Sequence, residues 1–236
     1  MTDEISILVP TYCRAKFLPL FLLNLKSQEY DHSKLTVVIY DDSPQKERFI
    51  QDSEIDEVRN IIAPMKLMYH VGEKRLSIGK KRDALIKMCK TKIFTFMDDD
   101  DIYLSTYISS NFKSLKSGKY GCVGSDKMIF CMTDKEYSVH AIDCGNTNHM
   151  IHEATIMATK KWYKASCGFA DNSRGEGKTL FEGIRNVCIT DIKDLMVCVQ
   201  HSGNTVDKLQ FANEENKINI EMSDEMINLL NTILKN

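Results

Sequence analysis

Lys92 to Asp101 reads KIFTFMDDDD: six mostly apolar residues run without a break into four aspartates. Continuous apolar segments of this length are typical of strands buried on both faces, as in parallel sheets covered by helices. A second segment has the same form, since Leu35 to Tyr40 (LTVVIY) is followed at once by Asp41, Asp42, Ser43 and Pro44. In open α/β sheets ligands collect beyond the carboxyl ends of the strands, and both acidic clusters fall there.

Working outward, Ile5 to Val9 predicts a first strand ended by Pro10 and Thr11. Pro19 suits the first turn of a helix whose Phe21, Leu22 and Leu25 share a face and which ends near Glu29. Lys66 to His70 predicts a strand, and Ile78 to Cys89 a helix with Ala84, Leu85 and Met88 inward. The second half is less regular. Tyr120 to Met132 and Tyr137 to Ile142 read as longer strands of an antiparallel extension. Ala154 to Ala158 reads as a strand before a helix around Trp162, with a short helix near Phe181 and a last strand over Asp194 to Val199. Ser223 is placed to cap a tail helix that reaches Asn236 and carries Met226, Leu229, Leu230 and Ile233 on one face. That face either packs back on the domain or meets a second copy or a membrane surface.

These elements predict an α/β fold with a mostly parallel sheet and an antiparallel extension. At 236 residues, 43% hydrophobic and 27% charged, the chain suits one domain, divided here into 1–104, 105–203 and a tail over 204–236. A formal charge of -2 and a pI near 6.3 argue against nucleic acid or anionic lipid as a general partner, so an anionic ligand needs a local site. Lys74, Arg75, Lys80, Lys81 and Arg82 are a local basic cluster. No secretory signal opens the sequence and no run approaches about 20 apolar residues, the longest being Phe17 to Leu25, broken by Asn24. Cys13, Cys89, Cys122, Cys131, Cys144, Cys167, Cys188 and Cys198 form no C-x-x-C pair, as expected of reduced, buried thiols in a cytoplasmic protein.

Adjacent carboxylates repel one another. In an extended segment Asp98 would face the same way as Asp100, and Asp99 the same way as Asp101, pairs that call for a hard cation, Mg2+ or Mn2+, completed by water and phosphate. A solvated acidic turn is the alternative, but the position at the end of a buried strand favours the metal.

The ordered set ISILVPTYCR (Ile5 to Arg14), VVIYDDS (Val37 to Ser43), GKKRDA (Gly79 to Ala84) and FMDDDD (Phe96 to Asp101) resembles family 2 glycosyltransferases of the GT-A fold over roughly the first hundred residues. The resemblance implies an inverting, metal-dependent transfer of a sugar from a nucleotide-sugar donor, a UDP-sugar in particular, to an acceptor hydroxyl. It implies that Pro10, Thr11, Tyr12, Arg14 and Asp41 or Asp42 surround the nucleoside, and that Gly79 and Arg82 serve the diphosphate, with Asp83 where the family often has asparagine. The D-x-D of the family falls on Asp98 and Asp100, Asp100 for the metal and Asp98 for ribose or metal, with Asp99 and Asp101 beside them. His201, after the last strand, is either a further metal or diphosphate contact or a structural histidine. For the catalytic base, Glu176 in Gly175-Glu176-Gly177 is preferred over Asp171 and Glu182. Trp162 is either a sugar platform or a core anchor, the core being the commoner use.

Three other readings share features with this one. A D-x-D-x-[TV] phosphotransferase would need threonine or valine where Ile102 stands. A sugar nucleotidyltransferase would need a Gly-rich loop that VPTYCR lacks. A non-catalytic nucleotide- or glycan-binding module of the same fold is separated from an enzyme only by turnover.

Overall fold

The computed structural model describes residues 3–118, 120–134, 136–144, 151–182, 187–204, 208–220 and 222–235. The first half alternates strand and helix: β1 Ile5–Thr11, α1 Leu18–Ser27, β2 Leu35–Asp41, α2 Ile55–Ile62, β3 Lys66–Val71, α3 Ile78–Met88 and β4 Ile93–Phe96. Strand β1 lies between β2 and β4, parallel to both, and β2 is parallel to β3. Period-2 alternation explains why these strands read as unbroken apolar runs. Ile5, Ile7, Val9, Val37, Ile39 and Ile93 enter one core, while Leu8, Val38, Phe94 and Phe96 enter the core on the other face.

The second half adds β5 Ile102–Tyr103, α4 Tyr107–Ser117, β6 Cys122–Gly124, β7 Lys127–Met132, β8 Ser138–Asp143, β9 Met157–Thr159, α5 Lys160–Lys164, β10 Cys188–Ile189, β11 Met196–Gln200 and α6 Asp224–Lys235. A seven-stranded sheet runs in the order β10-β6-β9-β4-β1-β2-β3, with β9 antiparallel to its neighbours β4 and β6. A four-stranded sheet runs β5-β11-β7-β8. The mostly parallel sheet with an antiparallel extension is present, but Tyr120 to Met132 is not one strand. It is cut at Ser125 and Asp126, and its two parts belong to different sheets. Residues 153–155 form a 3-10 turn before β9, Thr179 to Glu182 turn rather than form a helix, and Ile192–Asp194 is a 3-10 turn before β11.

Helices α2 and α4 have no counterpart in the sequence reading. In α4 the buried Tyr107, Ile108, Asn111 and Leu115 keep helical spacing, but its serines and asparagine are weak helix formers, so tertiary packing carries it. Helix α6 is capped by Ser223 Oγ and packs back on the domain through Leu230 and Ile233, with Tyr137 donating to Asn231. Asn236 lies outside the described residues. Among the described residues no helix is long and apolar enough to cross a membrane. All eight cysteines are free thiols, Cys89, Cys122, Cys131 and Cys198 being buried and Cys167 exposed.

The interruption of the Phe17 to Leu25 run has a structural cause. Asn24, buried on α1, donates through Nδ2 to the Asp101 carbonyl at 2.8 Å and accepts the Tyr103 N–H at 3.0 Å. One turn later, Gln28 donates to the Leu104 carbonyl and accepts from the Ile108 N–H. Two side chains four residues apart thus satisfy the irregular backbone that follows the acidic run.

His152 sits where the two sheets meet, its N–H donated to Ser125 and its Nε2 3.9 Å from Cys198 Sγ on β11. Burial, reinforced by Lys208 and Arg82, pushes its pKa down to about 3.

Replacing Asn24 with leucine strands a buried carbonyl and a buried N–H, and is expected to cost about 2 to 4 kcal/mol. A thermal melt of Asn24→Leu should fall by several degrees, and an unchanged midpoint would contradict this role. For His152, the unfolded ring takes a proton near pH 6.5 that the folded ring refuses until about pH 3. The unfolded state binds more protons in that window, so stability is lost as pH falls through it. Relative to His152→Gln, the unsubstituted protein should lose up to about 1.4 kcal/mol per pH unit there, read from denaturant melts at several pH values.

Candidate active site

The carboxyl ends of β1 and β4 open into a cavity of about 510 Å³, and Asp98 to Asp101 form part of its lining. The run is a turn, not an extended segment, so the expected alternation into two facing pairs does not occur. Three of the four carboxylates go instead to separate partners. Asp98 meets Arg82 at 3.2 Å, Asp100 meets both Arg14 and His201 at 3.1 Å, and Asp101 accepts the Val199 N–H at 2.8 Å. Tyr103 fixes the start of the turn by accepting the Asp98 N–H at 2.8 Å.

Neutralisation is uneven. Burial and then the Asp100 charge raise Asp99 well above the usual carboxylate range, and the same two causes push Asp101 up to about 8. Burial opposes ionisation of Asp100 too, but the His201 hydrogen bond and Arg14 outweigh it, so Asp100 lies below its ordinary value. Asp98 is raised by burial despite Arg82. Asp98 Oδ1 and Asp99 Oδ2 are buried without a hydrogen-bond partner among the described residues.

A hard cation fits the donor chemistry here: oxygen ligands, two of them carboxylate oxygens without donors. Among the described residues no group of three or more His, Cys, Asp or Glu converges on one point. The arrangement matches an ion that takes one or two carboxylates and completes its shell from substrate and water. His201 is occupied on both sides, Nδ1 accepting the Gly203 N–H at 3.1 Å, so the ring proton sits on Nε2 and points to Asp100.

Beside the end of β1, Pro10, Thr11, Tyr12 and Arg14 line the cavity, and the Arg75 guanidinium lies 4.0 Å over the Tyr12 ring. Lys81 donates to the Thr11 carbonyl at 2.7 Å and pairs with Asp42 at 2.5 Å, while the other Asp42 oxygen accepts the Leu76 N–H. Asp42 lies off the cavity lining, and so does Asp41. The Asp41 oxygens accept the Ser43 and Phe49 N–H groups and the Tyr69 hydroxyl, which fixes the loop after β2.

Gly79 is absent from the cavity lining and is a packing residue. A Cβ there would stand 1.9 Å from the Ala170 carbonyl oxygen, and its N–H donates to Asn172, so α3 and the loop around 170–172 meet through it. Asp83 accepts from the Tyr163 hydroxyl and the Phe169 N–H, anchoring the same loop.

Of the residues expected as catalytic base, Glu176 lines the cavity, buried, with Oε1 3.2 Å from Arg82 Nε. Asp171 is exposed outside the lining, bonded to Ser77, and Glu182 is exposed. Trp162 is absent from the lining and packs on Phe181 at 5.9 Å and against Gly121. The sequence reading did not single out Glu153, His152 or Lys208, nor the apolar Met128, Ile142 and Phe211, all of which line the cavity. Isolated residues on separate elements leave no motif, and only the tertiary fold collects them.

The sequence profile "Glycosyl transferase family 2" matches residues 6–172. A processive diacylglycerol beta-glycosyltransferase of Mycoplasma pneumoniae is 32% identical over 101 residues, 43% of this chain and 28% of that protein. Its counterpart in Mycoplasma genitalium is 28% identical over 103 residues, 44% of this chain and 29% of the other. Among solved structures, S. aureus TarS 1-349 in complex with UDP-GlcNAc aligns at a TM-score of 0.61 and 15% identity over 85% of this chain and 60% of that one. The mannosyltransferase PcManGT from Pyrobaculum calidifontis, in complex with GDP-Man and Mn2+, aligns at 0.62 and 17% over 85% and 57%. The chain thus spans under a third of the curated relatives and about three fifths of these structures, which share its fold. With the profile covering well over half of its length, and with the strand-end aspartates at the heart of the matched region, the chain belongs to glycosyl transferase family 2.

Proposed function

We propose that this protein is a glycosyltransferase that moves a sugar from a nucleotide-sugar donor to an acceptor hydroxyl, with inversion at the anomeric carbon and with a divalent ion, Mn2+ or Mg2+, in the site. The observation that carries this reading is the buried aspartate turn at the end of β4, which opens on the cavity with two carboxylate oxygens lacking donors. A uridine nucleotide is the favoured donor carrier, on the resemblance of the VPTYCR and YDDS segments. The two solved structures named above are complexes with nucleotide sugars, UDP-GlcNAc in one and GDP-Man in the other.

In this reading Asp98 and Asp100 would hold the ion, Asp98 having an oxygen without a donor. When bound, the ion would offset the negative charge that develops on the leaving diphosphate. Arg14 and Lys208, beside the turn, add positive charge where the phosphates lie. Tyr12 and Arg75 flank the nucleoside, and Lys81 stiffens that end by tying Asp42 to the Thr11 carbonyl. Inversion needs a carboxylate on the acceptor side to receive the hydroxyl proton. Of the expected bases, Glu176 lies in the cavity and Asp171 outside its lining. Met128, Ile142 and Phe211 give the acceptor side an apolar wall, which supports an acceptor carrying an apolar portion.

Thermal melts with UDP, GDP, CDP and dTDP, each with Mn2+, Mg2+ or chelator, test the donor site without an acceptor. A diphosphate at about 100 times its Kd should add about 2.7 kcal/mol, and chelator should remove the gain. No shift with any pair would sink the reading. Asp100→Asn should keep the fold and lose the metal-dependent part of the shift, and a full metal-dependent shift in that variant would remove Asp100 from the ion's ligands.

A further inference from the structure

Glu153 opens the 3-10 turn Glu153–Thr155 that leads into β9, and it lines the cavity beside Glu176. Its Oε1 accepts the Gly177 N–H at 3.0 Å. A Cβ added to Gly177 would come within 2.5 Å of that oxygen and 2.9 Å of the carboxyl carbon. The Glu153 carboxylate therefore fills the space over Gly177 that a side chain at that position would occupy.

The two glutamates differ in what holds them. Glu176 is bound by Arg82, which also holds Asp98, stacks 4.6 Å over the Phe96 ring and is almost fully buried. Protonating Glu176 would leave that guanidinium short of a counter-charge in a buried setting, which is costly. Glu153 is held only by neutral backbone N–H groups, its own and that of Gly177, and among the described residues it forms no ion pair. Burial and the neighbouring Glu176 charge raise its pKa, a change in the direction that suits proton uptake near neutral pH.

We propose that Glu153, rather than Glu176 or Asp171, receives the acceptor's hydroxyl proton; the assignment rests on the transferase reading above. The acceptor O–H bond breaks toward a Glu153 carboxylate oxygen as the acceptor oxygen bonds to the anomeric carbon. The bond from that carbon to the β-phosphate oxygen breaks, and its electron pair leaves on the nucleoside diphosphate. Glu176 is then a positioning residue, which holds Arg82 against Asp98.

The test reads diphosphate release from UDP-glucose, UDP-galactose, UDP-N-acetylglucosamine and GDP-mannose with Mn2+, with water as the nucleophile, and reads donor binding by thermal shift. Glu153→Gln keeps an oxygen for the Gly177 N–H, so the turn stays in place. Its turnover should fall about 10²- to 10⁴-fold with the donor-induced shift retained. Formate should restore part of the activity of Glu153→Ala and none of that of Glu176→Ala. Turnover of Glu153→Gln within about threefold of the unsubstituted protein, or formate rescue confined to Glu176→Ala, would overturn the assignment. A protein that neither binds nor cleaves any of the four donors would refute the transferase reading itself, a result distinct from intact binding with an active Glu153→Gln.

Discussion

Four carboxylates in consecutive positions at the mouth of a buried strand set the terms for the structure around them, because like charges in a poorly solvated cleft need separate counter-charges or shared protons. The turn after Met97 answers this by splaying the side chains. Arg82 arrives from α3, Arg14 from the loop after β1, His201 from beyond β11, and the Val199 N–H from β11 itself. Elements from both halves of the chain converge on one turn, and the small second sheet, which supplies β11, is in place to reach it. Two carboxylate oxygens of the turn, on Asp98 and Asp99, are left without donors among the described residues.

The two halves are locked together by polar contacts as well as by apolar packing. Asn24 and Gln28 on α1 satisfy the backbone of 101–108, Asp83 anchors the loop at Phe169, and Arg82 bridges Asp98 and Glu176. Each contact is buried or partly buried, so each costs desolvation that only well-formed geometry offsets. The same contacts tie the aspartate turn to Glu176 across the cavity.

What could be read from sequence follows from how each feature is encoded. Buried parallel strands leave apolar runs, and their ends leave abrupt acidic residues, so β1, β2, β4 and the place of the Asp98 to Asp101 turn at a strand end were legible. Tyr120 to Met132 was misread because its apolar character continues through a point where the chain changes sheets, a tertiary event with only Ser125 and Asp126 to mark it. Asp41 and Asp42 stand side by side at a strand end, yet one organises a loop and the other pairs with Lys81, a difference that no spacing reveals. Glu153 had no signal at all, since its meaning depends on a glycine 24 residues away.

Gly79 shows how a motif can be recognised for reasons other than the chemistry it accompanies. It stands among basic residues at the head of α3, yet the room it leaves is taken by the Ala170 carbonyl. In a comparison across relatives, invariance at such a position would record a steric joint between two lobes and not contact with a ligand. Family signatures of this kind are composites, in which hinge-free seams and reacting groups are conserved together and look alike in an alignment column.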